Sequence, residues 1–179
     1  MKRDTIIIFE DNAIDRSILV ELFRSEYKIL EAENGKVGIE LLKNNLASVA
    51  IVLLDNVMPV MDGFAVLEYL KERNIVNKIP FIMITGDSSP QLEKRGYEYG
   101  IVSYVKKPYQ PEVVRQVVQN AIGWFQYKMQ LELMVKKQNI NIQKQNSVLR
   151  QQTKKLNHVN EILIDSLSNI VEFRNMESK

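Results

Sequence analysis

Val49-Ala50-Ile51-Val52-Leu53-Leu54-Asp55 decides the fold: six consecutive apolar residues end on a lone carboxylate. A strand wetted on one face alternates apolar and polar residues. A strand covered by helices on both faces is apolar throughout, as in parallel sheets.

Residues 79–85 repeat the pattern, with Phe81, Ile82, Met83 and Ile84. Thr5–Phe9, Lys28–Ala32 and residues 101–105 supply three further short strand candidates. Between them the apolar spacing becomes helical. Residues 13–25 carry Ile14, Ile18, Leu19, Leu22 and Phe23, and residues 36–45 follow an Asn34-Gly35 turn. Residues 62–72 carry Phe64, Val66, Leu67 and Leu70. Pro90 opens a helix through Tyr99 that Gly100 stops, and Pro111 sits near the start of a long helix. Strands alternating with helices over residues 5–123 imply an α/β fold, a doubly wound five-stranded parallel sheet. Its crossovers are right-handed, and ligands bind at the carboxyl ends of its strands.

That rule turns the strand ends into a site. They read Phe9-Glu10-Asp11, Leu54-Asp55, Ile84-Thr85-Gly86 and Val105-Lys106-Lys107-Pro108. Three carboxylates at one rim repel one another unless a cation joins them, and a hard divalent ion with oxygen ligands, Mg2+, suits the set. With the metal and Lys107 neutralising charge, Asp55 can act as a carboxylate nucleophile and form an aspartyl phosphate. Catalysis is then mostly positioning and charge stabilisation. Thr85 would donate its hydroxyl to a phosphoryl oxygen, and Gly86 leaves room for entry. Taken singly, these are a turn aspartate, helix N-terminal acids and an ordinary Lys-Pro turn. Their joint occurrence at successive strand ends carries the site.

Residues 4–123 resemble the receiver domain of bacterial two-component response regulators. The matching pieces are Phe9-Glu10-Asp11-Asn12, Leu53-Leu54-Asp55 with Met58-Pro59 and Met61-Asp62-Gly63, Ile84-Thr85-Gly86, and Tyr104-Val105-Lys106-Lys107-Pro108. The resemblance implies the flavodoxin-like strand order 2-1-3-4-5 and a sensor histidine kinase or phosphotransfer protein as phosphoryl donor. It implies Asp11 as a direct magnesium ligand, Glu10 acting through water, Asp55 as both ligand and acceptor, and the Val57 carbonyl as a further ligand. Lys107 pairs with phosphoryl oxygens. Thr85 drawn toward the phosphate vacates space that Tyr104 enters, a switch relayed toward the C-terminal helix. Glu10 stands where Asp is commoner, and Val57 and Asp87 hold positions that tune dephosphorylation in the family.

The first 123 residues form the receiver on this reading, and residues 124–179 a helical stalk or coiled coil. No Pro or Gly interrupts Trp124 to Phe173. Val135, Ile142, Leu149, Leu156, Leu163 and Ile170 recur every seven residues, a coiled-coil seam that suggests a homodimer. Its companion positions are largely polar, such as Gln145 and Gln152, or Asn146 and Thr153. The end of the chain, with its Glu-aromatic-Arg stretch Glu172-Phe173-Arg174, looks like the opening helix of HD-type cyclic-di-GMP phosphodiesterase domains. The chain's single histidine, His158, cannot build such a binuclear site, so an output domain of that kind would follow the stalk.

The composition, 45% hydrophobic and 26% charged, is that of a globular protein. The absence of cysteine removes disulfide and thiolate sites and agrees with a cytoplasmic setting. An unbroken apolar run of only four residues leads to Glu10, too short for a signal-peptide core, and no run is long enough for a bilayer. No membrane partner is expected. Residues 1–123 carry a net charge of −2 and residues 124–179 of +4. The basic tail reads as a solvated helix face, and no direct nucleic-acid binding is expected. A stand-alone dimerising interaction protein is the alternative function.

Overall fold

The computed structural model describes residues 3–86 and 89–176, with the side chains of Leu167 and residues 169–176 left aside. Asp87, and the side chains of Ile170, Glu172, Phe173 and Arg174, therefore lie outside the described residues. The elements run β1 (Thr5–Phe9), α1 (Ala13–Phe23), β2 (Lys28–Ala32), α2 (Gly35–Asn45), β3 (Val49–Asp55), α3 (Gly63–Glu72), β4 (Phe81–Thr85), α4 (Pro90–Tyr99), β5 (Ser103–Lys106) and α5 (Pro111–Met176). The strands form one parallel sheet in the order β2-β1-β3-β4-β5. The chain divides into two units, Met1–Lys128 and Met129–Lys179.

Successive strand side chains point to opposite faces, and both faces here are covered. Ile7, Phe9, Val52, Leu54 and Met83 pack with Ile39 and Leu42 of α2 and Val66, Leu67 and Leu70 of α3. Ile6, Ile8, Ile51, Leu53, Ile82 and Ile84 pack with Leu19 and Phe23 of α1 and with Val114, Val118 and Ile122 of α5. Every residue of β1, β3 and β4 is buried. Each fully buried aliphatic side chain contributes about 1.5–3 kcal/mol, so the sheet is rigid where the strand ends must be held in place.

Caps set the helix starts. Asn12, Asn34 and Asp62 each accept backbone N–H bonds from the first turn of α1, α2 and α3. Asp62 is thus the cap of α3 rather than its first residue. At the other end of α4, Gly100 adopts φ 93, the left-handed conformation that closes a helix and that glycine enters without strain.

Two strand boundaries differ from the sequence expectation. The fourth begins at Phe81, because Pro80 has no N–H for the ladder and serves only as acceptor to the Val52 N–H. The fifth is Ser103–Lys106 rather than 101–105. Ile101 is apolar because it closes the core beneath α4, not because it lies in the sheet.

In the second unit the described residues are helical, and from residue 131 to residue 164 their apolar side chains are exposed. Val135, Ile142, Leu149, Leu156 and Leu163 all stand in solvent, with exposures from 49% to 67%. Gly123 does not interrupt α5. Among the described residues no helix is long and apolar enough to cross a membrane.

Candidate functional site

β3 ends on Asp55, flanked in the sheet by β1 and β4, so its carboxylate emerges mid-rim. The Asn56 N–H donates to the Ile84 carbonyl and fixes the chain as it leaves the sheet. The backbone N–H groups of Asn56 and Val57 face the Asp55 carboxylate and favour its charged form. From β1's end come Glu10, buried at 1% exposure, and Asp11, which is exposed. One oxygen from each of Glu10, Asp11 and Asp55 lies within 4.8 Å of the others. Thr85, at the end of β4, is buried, and its carbonyl accepts from the Lys107 N–H at 2.8 Å.

Lys107 reaches across the rim. Its Nζ lies 2.7 Å from Glu10 Oε2, 3.0 Å from Asp15 Oδ2 and 3.3 Å from Asp55 Oδ2. The other Glu10 oxygen accepts from the Asn12 N–H at 3.3 Å. Burial pushes Glu10 up to about 7; the Lys107 hydrogen bond opposes this and the charge of Asp55 adds to it. Burial likewise raises Asp55, against the charge of Lys107. Burial also disfavours the Lys107 ammonium, but hydrogen bonds to Glu10 and Asp15 outweigh it and raise the group above its ordinary value. Carboxylates raised by burial beside one another are the signature of a site short of positive charge. Three oxygen donors so close suit a hard divalent cation.

The sequence-derived residues therefore converge. Glu10, Asp11, Asp55, Thr85 and Lys107 share one rim, and Val57 adjoins it through its N–H. Asp15 was not among them. In the sequence it reads as an ordinary first-turn acid of α1.

Tyr104 of β5 lies apart from the carboxylates, against α4. Its hydroxyl donates to the Leu92 carbonyl at 2.7 Å, and its ring meets Tyr97 edge-on at 5.5 Å between centroids. Burial pushes the phenol up to about 12, so it stays a donor at neutral pH.

A shallow groove beside the rim is lined by Ala13, Ile14, Ile18 and Leu22 of α1 and by Pro111 and Arg115 of α5. Ile14 is 71% exposed, unusual for isoleucine, and begins this surface three residues after Asp11.

Residues 6–119 match the response regulator receiver domain model. A probable cyclic di-GMP phosphodiesterase of Vibrio cholerae is 30% identical over 97% of this chain, and histidine kinase P4 of Formosa agariphila is 33% identical over 68%. The chain spans only 37% and 9% of the lengths of those relatives. Among solved structures, a chain of the CheX-CheY-BeF3-Mg complex of Borrelia burgdorferi is 28% identical with a TM-score of 0.61, covering 65% of this chain and 87% of its own.

Proposed function

The chain belongs to the response regulator receiver domain family, and on that premise we propose that Asp55 accepts a phosphoryl group from a sensor histidine kinase or a phosphotransfer protein. The observation that carries this reading is the Asp55 carboxylate at the mid-rim, with Glu10, Asp11 and the Lys107 ammonium drawn in around it. An Asp55 oxygen attacks phosphorus; the new O–P bond forms as the N–P bond to the donor histidine breaks, and the electron pair stays on the imidazole nitrogen.

Glu10, Asp11, Asp55 and the Val57 carbonyl would hold Mg2+, which when bound neutralises charge on the carboxylates and on the phosphoryl oxygens. Both Glu10 oxygens already accept protein hydrogen bonds, which supports a contact through water, while exposed Asp11 is available as a direct ligand. Lys107 pairs with one phosphoryl oxygen and Thr85 donates to another. The exposed groove at Ile14 and Ile18 gives the donor protein an apolar surface next to the acceptor. The relative solved with BeF3 and Mg supports the same chemistry here.

The phosphorylated state then passes from Thr85 to Tyr104, which exchanges its bond to Leu92 for the space that Thr85 leaves. We assign residues 1–123 to the receiver and 124–179 to a stalk that pairs with a second copy along the seam at Val135, Ile142, Leu149, Leu156 and Leu163. The Vibrio cholerae relative, similar across the stalk as well as the receiver, supports signalling to an output of the cyclic-di-GMP phosphodiesterase kind. The absence of cysteine suits work in the cytoplasm.

The test is labelling with acetyl phosphate and Mg2+, read by intact mass. The unmutated protein gains one phosphoryl group and Asp55→Asn gains none; equal labelling of the two would remove the assignment.

A further inference from the structure

Lys107 has a partner that the phosphoryl chemistry does not use. Asp15 Oδ2 lies 3.0 Å from its Nζ, between the contacts to Glu10 at 2.7 Å and Asp55 at 3.3 Å. Asp15 is held there by the start of α1: the Asn12 side chain accepts from the Ile14 and Asp15 N–H groups and fixes the first turn.

An ammonium has three N–H donors, and three carboxylates take them. A phosphoryl oxygen can therefore gain Lys107 only if one carboxylate lets go. The side chains of Glu10 and Asp55 are 1% and 8% exposed, and stripping a counter-ion from a buried carboxylate is costly. The Asp15 side chain is 33% exposed, so water can replace the ammonium at little cost. Tyr109 adds a second donor in reserve. Its hydroxyl is the one buried side-chain polar atom without a hydrogen-bond partner among the described residues. Burial, then the charges of Asp15 and Glu10, push it up to about 12, which keeps it a neutral donor.

We propose that Asp15 is a positioning residue that holds Lys107 at the rim of the unphosphorylated pocket and competes with the phosphoryl group for it. Asp15 thereby restrains how readily Asp55 is phosphorylated, a role outside the metal and phosphoryl ligands. The proposal rests on Asp55 being the acceptor.

The experiment is the rate of labelling by acetyl phosphate and Mg2+ in a double-mutant cycle. Asp15→Asn should label about threefold faster, the size that a partly exposed ion pair supports, and Asp15→Glu should stay near the unmutated rate. In a Lys107→Ala background the gain from Asp15→Asn should shrink to a residue of itself. No gain in the single variant, or an equal gain in both backgrounds, overturns the proposal. Labelling of Asp55→Asn at the unmutated rate would instead overturn the acceptor assignment on which it rests.

Discussion

The Tyr104 hydroxyl occupies the space that a side chain at Gly96 would need, and a Cβ at that position would overlap it. The phenol reaches the Leu92 carbonyl because α4 has no side chain at that point. Gly96→Ala must therefore push Tyr104 out of its present seat. The expected cost is about 1–3 kcal/mol, the usual range for overpacking, read as a lower denaturant midpoint. Tyr104→Ala in the same chain should recover part of that loss, because the clashing group is gone. Full additivity of the two changes would show that the contact does not govern this seat.

Magnesium affinity should depend on pH through Glu10. Its folded-state value of about 7 lies above the ordinary 4.5, so between those values the metal-free fold binds more protons than the unfolded chain. Metal-free stability therefore falls as pH rises through this window. Metal binding needs the ionised carboxylates, so Mg2+ affinity should rise by up to about tenfold per pH unit below 7 and level off above it. Titration calorimetry at several pH values reads this. A flat profile would place Glu10 in its ionised form throughout.

Donor docking and acceptor chemistry should separate. Ile14→Asp puts a charge into the groove at α1 without touching the rim. Transfer from a phosphorylated donor protein should slow by more than about tenfold, the order that loss of an interface anchor brings. Labelling by acetyl phosphate should stay unchanged, and a parallel loss of both would place Ile14 in the pocket's own structure.

The stalk's association should follow its seam. Leu149→Asp or Leu156→Asp removes an exposed apolar residue from the middle of the repeat and should leave a monomer in light scattering. Gln145→Leu should tighten the dimer, because a polar companion position lowers coiled-coil stability. A monomer in the unmutated protein at high concentration would contradict the pairing.

The fold was legible because both sheet faces are buried. Apolar runs such as residues 49–54 have one physical explanation once strand length is given, and the carboxyl ends then follow from chain order. The meeting of the candidate site residues at one rim was legible for the same reason, each standing at the end of its strand or just beyond it. The limits of β5 were not, because Ile101 is buried by α4 while lying outside the ladder, and hydropathy does not distinguish the two. Asp15 and Tyr109 escaped because their meaning comes from Lys107, which is distant from Asp15 in sequence. Only the folded rim shows that one ammonium serves three carboxylates.

Phosphorylation at Asp55 is open to direct test, because an acyl phosphate can be located chemically. Treating the acetyl phosphate and Mg2+ reaction with borohydride reduces an aspartyl phosphate to homoserine, which peptide mass mapping assigns to a residue. Phosphorylation of Asp55 should give homoserine at position 55 and nowhere else; homoserine at position 11 or 15, or none at all under conditions that label the protein, would rule Asp55 out as the acceptor.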